Sequence, residues 1–414
     1  MEPFRCSPDD GRAAPRHDHD AEPSGPALLA LEDGTVFEGK ACGARGESFG
    51  ELVFNTSLTG YQEVLTDPSY AGQAVVMTYP LIGNYGMTLG DDESRRPFLH
   101  AFIVRELCRY PSNWESVESV GRFLTRHGVV GIEGVDTRRL TRIVRTKGAL
   151  RCAVSTKETD GRALVKRVKQ SPSMVGADWA SRVTCDRAYE WEDGLLSGNP
   201  PFTLRFPARP KVVVLDFGVK YGILRCLRSM GCLVSVAPSG TPAERILAMK
   251  PDGILLSNGP GDPEAVQGAL PAIRGLLETK IPIFGICLGH QLLGLALGGK
   301  TFKLKFGHHG SNHPVKDLAT GKVEITSQNH GFCVDLDSLP ADVKTTHVNL
   351  NDGTSEGMAH ANLPVFSVQY HPESSAGPHD SRYLFERFGK LMLDRMSGMP
   401  PQGAASKAGL RGGL

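Results

Sequence analysis

Cys287 lies in Ile281-Pro-Ile-Phe-Gly-Ile-Cys-Leu-Gly-His-Gln-Leu-Leu-Gly-Leu-Ala296. An apolar run ends at Gly285, the cysteine follows two positions later, then Gly289, then an apolar helical pattern. This reads as a buried strand, a sharp turn and a helix, the elbow that exposes a nucleophile. The flanking glycines fit a strained turn in which bulky neighbours would clash. A thiol at a helix N-terminus meets the positive end of the helix dipole, which favours the thiolate. A buried core cysteine between two glycines is the competing reading, so the elbow needs a base to stand beside it.

Such a base lies far downstream, in Val365-Phe-Ser-Val-Gln-Tyr-His-Pro-Glu373. Positions two apart on an extended chain point to the same side, so His371 and Glu373 are expected together, the carboxylate orienting the imidazole. Cys287, His371 and Glu373 then form a nucleophile, base and orienter set for covalent catalysis. The order differs from that of α/β-hydrolases, where the acid precedes the histidine. A covalent intermediate needs oxyanion donors. The Leu288 amide is one candidate, and the Gly259-Pro-Gly261 turn can supply another. The segment Asn258-Gly-Pro-Gly-Asp-Pro263 is otherwise a tight loop. No Gly-Lys-Ser/Thr follows it, which disfavours a phosphate cradle.

Around these residues the chain changes style. Met1 to Pro26 is polar and reads as a disordered arm, without the apolar core of a signal peptide. Residues 27–170 mix short strands with helices at 116–127 and 136–147, an α+β pattern. The turn Glu32-Asp-Gly-Thr35 predicts a hairpin. Prolines at 200, 201, 207 and 210 mark 171–210 as a linker or crossing segment. From 211 to 396 strands alternate with helices, the signature of a largely parallel sheet covered by helices. The expected fold class is therefore α/β, an N-terminal α+β domain followed by a parallel-sheet domain. In such sheets ligands sit at the carboxyl ends of strands. Residues 397–414 read as a flexible tail.

Composition excludes several function classes. Lys plus Arg number 46 against 45 Asp plus Glu, a balance that argues against holding nucleic acid or an anionic membrane. No apolar run reaches the ~20 residues of a membrane helix. The nine cysteines show no C-x-x-C pairs, which suits free thiols in a reducing cytoplasm. Phe306-Gly-His-His-Gly-Ser-Asn-His313 tempts a metal assignment through His308, His309 and His313. It lacks a helical i, i+4 pair or companion cysteines, so the expectation is no metal and a polar loop. Gln328-Asn-His-Gly-Phe332 reads as a second polar loop, suited to substrate amide contacts. Asn55 to Tyr70 reads as a turn-rich connection.

Gly285-Ile-Cys-Leu-Gly-His-Gln291 with Gln369-Tyr-His-Pro-Glu373 resembles the class I, triad-type glutamine amidotransferases. Asn55 to Tyr70, Ser257-Asn-Gly-Pro-Gly-Asp-Pro263, Lys305-Phe-Gly-His-His-Gly310 and Gln328-Asn-His-Gly-Phe332 extend the resemblance, from Ala27 to Leu393, to the small, glutamine-hydrolysing subunits of carbamoyl phosphate synthetase. The resemblance implies a glutamine amidotransferase domain over 211–396. Cys287 would be the nucleophile, His371 the proton carrier and Glu373 its orienter. Glutamine contacts would fall on Ser69, Gly259, Gly261, Leu288, Gln291, Asn329, Gly331 and Phe332. It also implies a large-subunit partner in a heterodimer or higher assembly. That partner, holding ATP and Mg2+, would combine the ammonia with bicarbonate and two ATP into carbamoyl phosphate, for arginine and pyrimidine synthesis. No cofactor is expected in this chain. Gly222 stands where the family usually has Asn, and Tyr370 where Gly or Phe is common; neither is expected to touch the triad. Two other readings stay open: an amidotransferase serving guanylate or anthranilate synthesis, and a non-catalytic scaffold that keeps the fold.

Overall fold

The computed structural model describes residues 24–195, 202–399 and 403–405. The expected arm at 1–26 lies mostly outside the described residues, as does most of the tail at 397–414. The first domain is built on a closed barrel. Its strands are β1 (Pro26–Leu31), β2 (Val36–Ala41), β3 (Glu47–Asn55), β4 (Gln73–Met77), β6 (Ala101–Ile103), β8 (Val130–Glu133) and β9 (Leu150–Ser155). They close in the order β1-β2-β8-β6-β4-β3-β9. A separate pair, β5 (Leu81–Ile82) and β7 (Glu106–Leu107), lies outside it. Alternation along each strand sorts the side chains. Leu52, Phe54, Val76 and Ile103 fill the interior with Leu29 and Ile132. Val53, Val75 and Phe102 point outward, under Val120, Phe123 and Leu124 of the helix Val120–Arg126. Barrel closure leaves no open sheet edge. Asp136 caps the helix Thr137–Lys147 by accepting a hydrogen bond from the Arg139 amide at 2.9 Å.

The second domain carries a ten-stranded sheet. Its strands are β10 (Tyr189–Trp191), β11 (Lys211–Asp216), β12 (Leu233–Pro238), β13 (Gly253–Leu256), β14 (Ile283–Ile286), β15 (Thr301–Asp317), β16 (Val323–Val334), β17 (Val343–Asn349), β18 (Ser355–His360) and β19 (Val365–Val368). The order is β10-β12-β11-β13-β14-β19-β18-β17-β15-β16. The run β12-β11-β13-β14-β19 is parallel. The strands from β18 to β16 form an antiparallel extension. Val212 and Val214 face one apolar layer, with the helices Tyr221–Ser229 and Tyr383–Met396. Val213 and Leu215 face the other, with Leu270–Leu277 and Leu288–Ala296. Burial on both faces is what makes the parallel strands read as continuous apolar runs. Within 171–210 a short helix (Ala180–Val183) precedes β10, which joins the sheet as its antiparallel edge.

Two expected loops are strands. His308, His309 and His313 lie on the seventeen-residue β15, and Gln328 to Phe332 lie on β16, paired directly with it. Polar composition hid them, because strands are recognised by apolar alternation, and β15 is bulged between Lys303 and His308 and between Gly310 and His313. This long strand also meets the first domain. The Thr56 amide donates to the His309 carbonyl at 3.2 Å, and the Ala149 amide to that of Lys305 at 2.8 Å. Phe306 stacks on Phe54, and Lys303 pairs with Glu51. Asn55 to Tyr70 is likewise more ordered than a turn-rich connection, holding the helix Tyr61–Thr66 and the turn of 3-10 helix Pro68–Tyr70.

Candidate active site between the two domains

Four groups of site residues emerge at the carboxyl ends of the parallel strands β11, β13, β14 and β19. Cys287 follows β14 with φ 54° and ψ −106°, and the helix Leu288–Ala296 begins at the next residue. The glycines explain the elbow. A Cβ on Gly289 would lie 2.2 Å from the Leu256 carbonyl oxygen, and one on Gly285 would lie 2.8 Å from the Gly289 carbonyl oxygen. Nothing larger than hydrogen fits at either place, so the strained φ at Cys287 is held by close backbone contact. The Cys287 amide donates to Val368 of β19 at 2.9 Å, and the Gly289 amide to Ser257 at 2.9 Å. The buried thiol approaches the Asn329 carbonyl at 3.6 Å.

His371 is buried and its Nδ1 lies 2.7 Å from Glu373 Oε1. The pair meets through a turn after β19, not along the extended strand that the sequence suggested. Nε2 has no well-formed hydrogen bond of its own. Burial alone would push the ring's pKa down, but the Glu373 charge and the nearby Cys287 thiol outweigh it and raise it to about 10. Burial similarly opposes ionisation of Glu373, yet Lys220 and His371 hold its carboxyl down at about 2. The result is a buried imidazolium–carboxylate pair.

Lys220 is the residue that sequence reasoning missed. It sits just past β11, is 3% exposed, and donates from Nζ to Glu373 Oε1 at 3.0 Å and to the Ser375 carbonyl at 2.6 Å. Behind it stands Glu93 of the first domain. Its Oε2 accepts the Gly222 amide at 2.9 Å, and its Oε1 lies 3.6 Å from Arg225. Burial raises the Glu93 carboxyl to about 7 in spite of Lys220. Gly222 does touch the triad, contrary to expectation. A Cβ there would come 3.2 Å from Glu373 Cγ and 3.0 Å from Glu93 Oε2. Tyr370 is fully buried, its ring edge-on to His347.

The structure gathers most of the other expected residues in one cleft. Ser69, Gly259, Gly261, Cys287, Gln291, Asn329, Gly331 and Phe332 all line it. Leu288 is the first residue of the elbow helix, and His371 opens onto an adjoining cavity shared with Lys220 and Asn329. Hydrogen bonds knit the cleft across the domain boundary. Asn258 Nδ2 donates to Ser69 Oγ at 2.9 Å, Asn329 Nδ2 donates to Asp67 Oδ2 at 2.8 Å, and the Ser69 amide donates to Asp67 Oδ1 at 2.9 Å. Gln291 Nε2 donates to the Phe332 carbonyl at 2.8 Å. A nucleophile at a strained elbow, a charged histidine beside it and a polar cleft can together perform acyl transfer from an amide.

Comparison with known proteins assigns both halves of this arrangement. Residues 29–154 match the model for the carbamoyl-phosphate synthase small chain, CPSase domain. Residues 213–391 match that for class-I glutamine amidotransferases. The carbamoyl phosphate synthase small chain of Syntrophotalea carbinolica is 57% identical over 369 residues, which cover 88% of this chain and 97% of that one. The chain belongs to the carbamoyl phosphate synthase small chain family. The same-named proteins of Nitratidesulfovibrio vulgaris strain Hildenborough and Chlorobaculum tepidum are each 54% identical over 89% of this chain and 98% of theirs. The enzyme class is accordingly that of glutamine-hydrolysing carbamoyl phosphate synthase. The two matched stretches do not overlap, and they fall on the two domains that frame the cleft. Among the described residues no helix is long and apolar enough to cross a membrane.

Proposed function

We propose that the chain is the glutaminase of a carbamoyl phosphate synthetase. Cys287 attacks the carboxamide carbon of L-glutamine as the thiolate, its proton held on His371. His371 gives its proton to the departing ammonia, leaving a thioester on sulfur. His371 then takes a proton from water, the hydroxide attacks the thioester, and glutamate leaves as the Cys287 thiolate and the protonated His371 are restored. Glu373 orients the imidazole and offsets its charge, with Lys220 holding that carboxylate. Ser69, Gly259, Gly261, Gln291, Asn329, Gly331 and Phe332 hold the substrate, and the Leu288 amide faces the oxyanion. The observation that carries this reading is the buried His371–Glu373 pair at 2.7 Å beside the strained Cys287 elbow. A ring kept protonated at neutral pH is the acid that an ammonia leaving group needs.

The ammonia passes to a large subunit, bound as a heterodimer or a higher assembly. That subunit holds ATP and Mg2+ and forms carbamoyl phosphate from bicarbonate and two ATP, for arginine and pyrimidine synthesis in the cytoplasm. The family likeness of residues 29–154 supports this partner over guanylate or anthranilate synthases. The intact Cys287, His371 and Glu373 weigh against a scaffold without activity. The test is Cys287→Ser in the assembled complex. Glutamine-dependent synthesis should fall by about 10^4-fold or more, while synthesis from added ammonia continues. Retained glutamine-dependent synthesis would sink the assignment of the nucleophile. A co-purifying partner without ATP-dependent carbamoyl phosphate synthesis would sink that of the acceptor.

A further inference from the structure

Bordering the cleft, on β15, β16 and β18, lies a second set of buried groups to which the proposed reaction assigns no role, although His330 among them also lines the cleft. His308 of β15 is the direct cross-strand neighbour of His330 of β16, and Glu356 comes from β18. One ligand atom of each lies within 4.8 Å of the other two, and all three residues are buried. His308 Nδ1 points toward Glu356 Oε1 at 3.7 Å and makes no hydrogen bond. Cross-strand pairing assembles this set, so no spacing within β15 alone could reveal it.

Each of the three is braced on its far side, the arrangement that orients metal ligands. His308 Nε2 is 2.8 Å from Asp352 Oδ2. His330 Nδ1 is 2.8 Å from the Phe332 carbonyl, which fixes the proton there and leaves Nε2 as a lone-pair nitrogen. Glu356 accepts the Asn349 amide at 2.8 Å on Oε1 and the Gln328 amide at 3.0 Å on Oε2. One contact is then unfavourable. The lone pair of His330 Nε2 faces Gln328 Oε1, another acceptor, at 3.1 Å. Turning the Gln328 amide over would only set its oxygen against the Glu356 carboxylate. A cation bound at Nε2 would relieve the mismatch.

We propose that His308 Nδ1, His330 Nε2 and a Glu356 carboxylate oxygen form a site for a divalent transition-metal ion of the zinc class. Two imidazoles and a carboxylate suit such an ion. The metal is a clamp and takes no part in the chemistry. It ties β15, β16 and β18 together next to Asn329, Gly331 and Phe332, and so stiffens the strand that holds the substrate. That consequence rests on the glutamine reading; the metal site itself does not.

The test uses the full chain without a histidine tag, stripped of metal with a chelator, in a Cys287→Ser background that removes the reactive thiol. Cobalt(II) is titrated in and followed by absorption, and zinc content is measured by mass spectrometry after dialysis. One equivalent should bind with tetrahedral visible bands and no sulfur-to-metal charge-transfer band. His308→Gln should abolish binding. Asp352→Asn, at a side chain that is 38% exposed and safe for folding, should weaken it roughly 10- to 100-fold. The proposal falls if no saturable equivalent binds, if the bound ion shows thiolate bands, or if Asp352→Asn leaves the affinity unchanged. In those cases His308 is simply a protonated partner of Asp352 and Glu356.

Discussion

At Cys287 the constraint is steric, and at His371 it is electrostatic. The cysteine is fixed by backbone packed so closely that Gly285 and Gly289 admit no side chain. The histidine is fixed by a line of buried charge running through Glu373 and Lys220 to Glu93 in the other domain. A steric constraint is all-or-none and insensitive to pH. A charge network is graded, costs desolvation, and is coupled to pH and to the docking of the first domain. The nucleophile should therefore fail through misfolding of its turn, and the base through titration.

Removing Lys220 is the most damaging way to break the electrostatic end. Lys220→Met leaves Glu373 buried with His371 as its one remaining cationic partner among the described residues, and breaking a buried pair costs about 3–5 kcal/mol. Glu373 has a depressed pKa, so its stabilising contribution is present above the unfolded carboxylate value and lost as pH falls through the folded one. Without Lys220 the folded value rises, so acid unfolding should begin at higher pH. Denaturant titrations across pH 3 to 8 on the variant and the parent would measure this. Superimposable curves would show that Lys220 does not hold the carboxylate.

The steric end is probed by Gly289→Ala. The new methyl would lie 2.2 Å from the Leu256 carbonyl oxygen, so β13 and the elbow helix must separate. Overpacking of this kind costs about 1–3 kcal/mol, occasionally more. Stability should fall by the same amount at every pH, in contrast to Lys220→Met. A pH-dependent loss would blur the distinction between the two ends.

This contrast also governs how much could be read from sequence. The elbow is local. Gly285, Cys287 and Gly289 lie within five residues and announce a strand, a turn and a helix together. The parallel sheet was legible for a similar reason, because Val212 to Leu215 and their like are apolar on both faces. Lys220 and Glu93 were not legible, since a lone lysine and a lone glutamate gain meaning only when folding buries them side by side. The strands β15 and β16 were mistaken for loops because their side chains serve the cleft and the histidine cluster and so break the apolar alternation. Closure of the first domain into a barrel was also invisible. Its β4 pairs parallel with both β3 and β6, long-range choices that no hairpin signal records.

Glu93 gives a smaller test of the coupling between domains. Its carboxyl is raised from about 4.5 to about 7, so the folded state binds more protons than the unfolded state between those values. Stability attributable to this group therefore falls as pH rises from about 4.5 to about 7. Glu93→Gln keeps an oxygen for the Gly222 amide but cannot ionise. Its melting temperature should decline less over that interval than the parent's, as scanning calorimetry at a series of pH values would record. Equal slopes would mean that Glu93 stays charged throughout and is fully compensated by Lys220 and Arg225.

Asp67→Asn should have the smallest effect, and it acts chiefly on substrate positioning, since Asp67 is a weaker charge neighbour of Lys220 than Glu373 or Glu93. Asp67 uses one carboxylate oxygen for the Ser69 amide and the other for the Asn329 side chain. Asparagine can keep the first bond, but then its amide nitrogen faces that of Asn329, and two donors cannot pair. The loss is about one hydrogen bond, roughly 1 kcal/mol. Because the glutamine contacts proposed for Ser69 and Asn329 lie away from the breaking bond, the loss should fall equally on ground state and transition state. KM should then rise about fivefold with kcat little changed. A fall in kcat at constant KM would instead place Asn329, whose carbonyl accepts from the Cys287 thiol, within the steric support of the nucleophile.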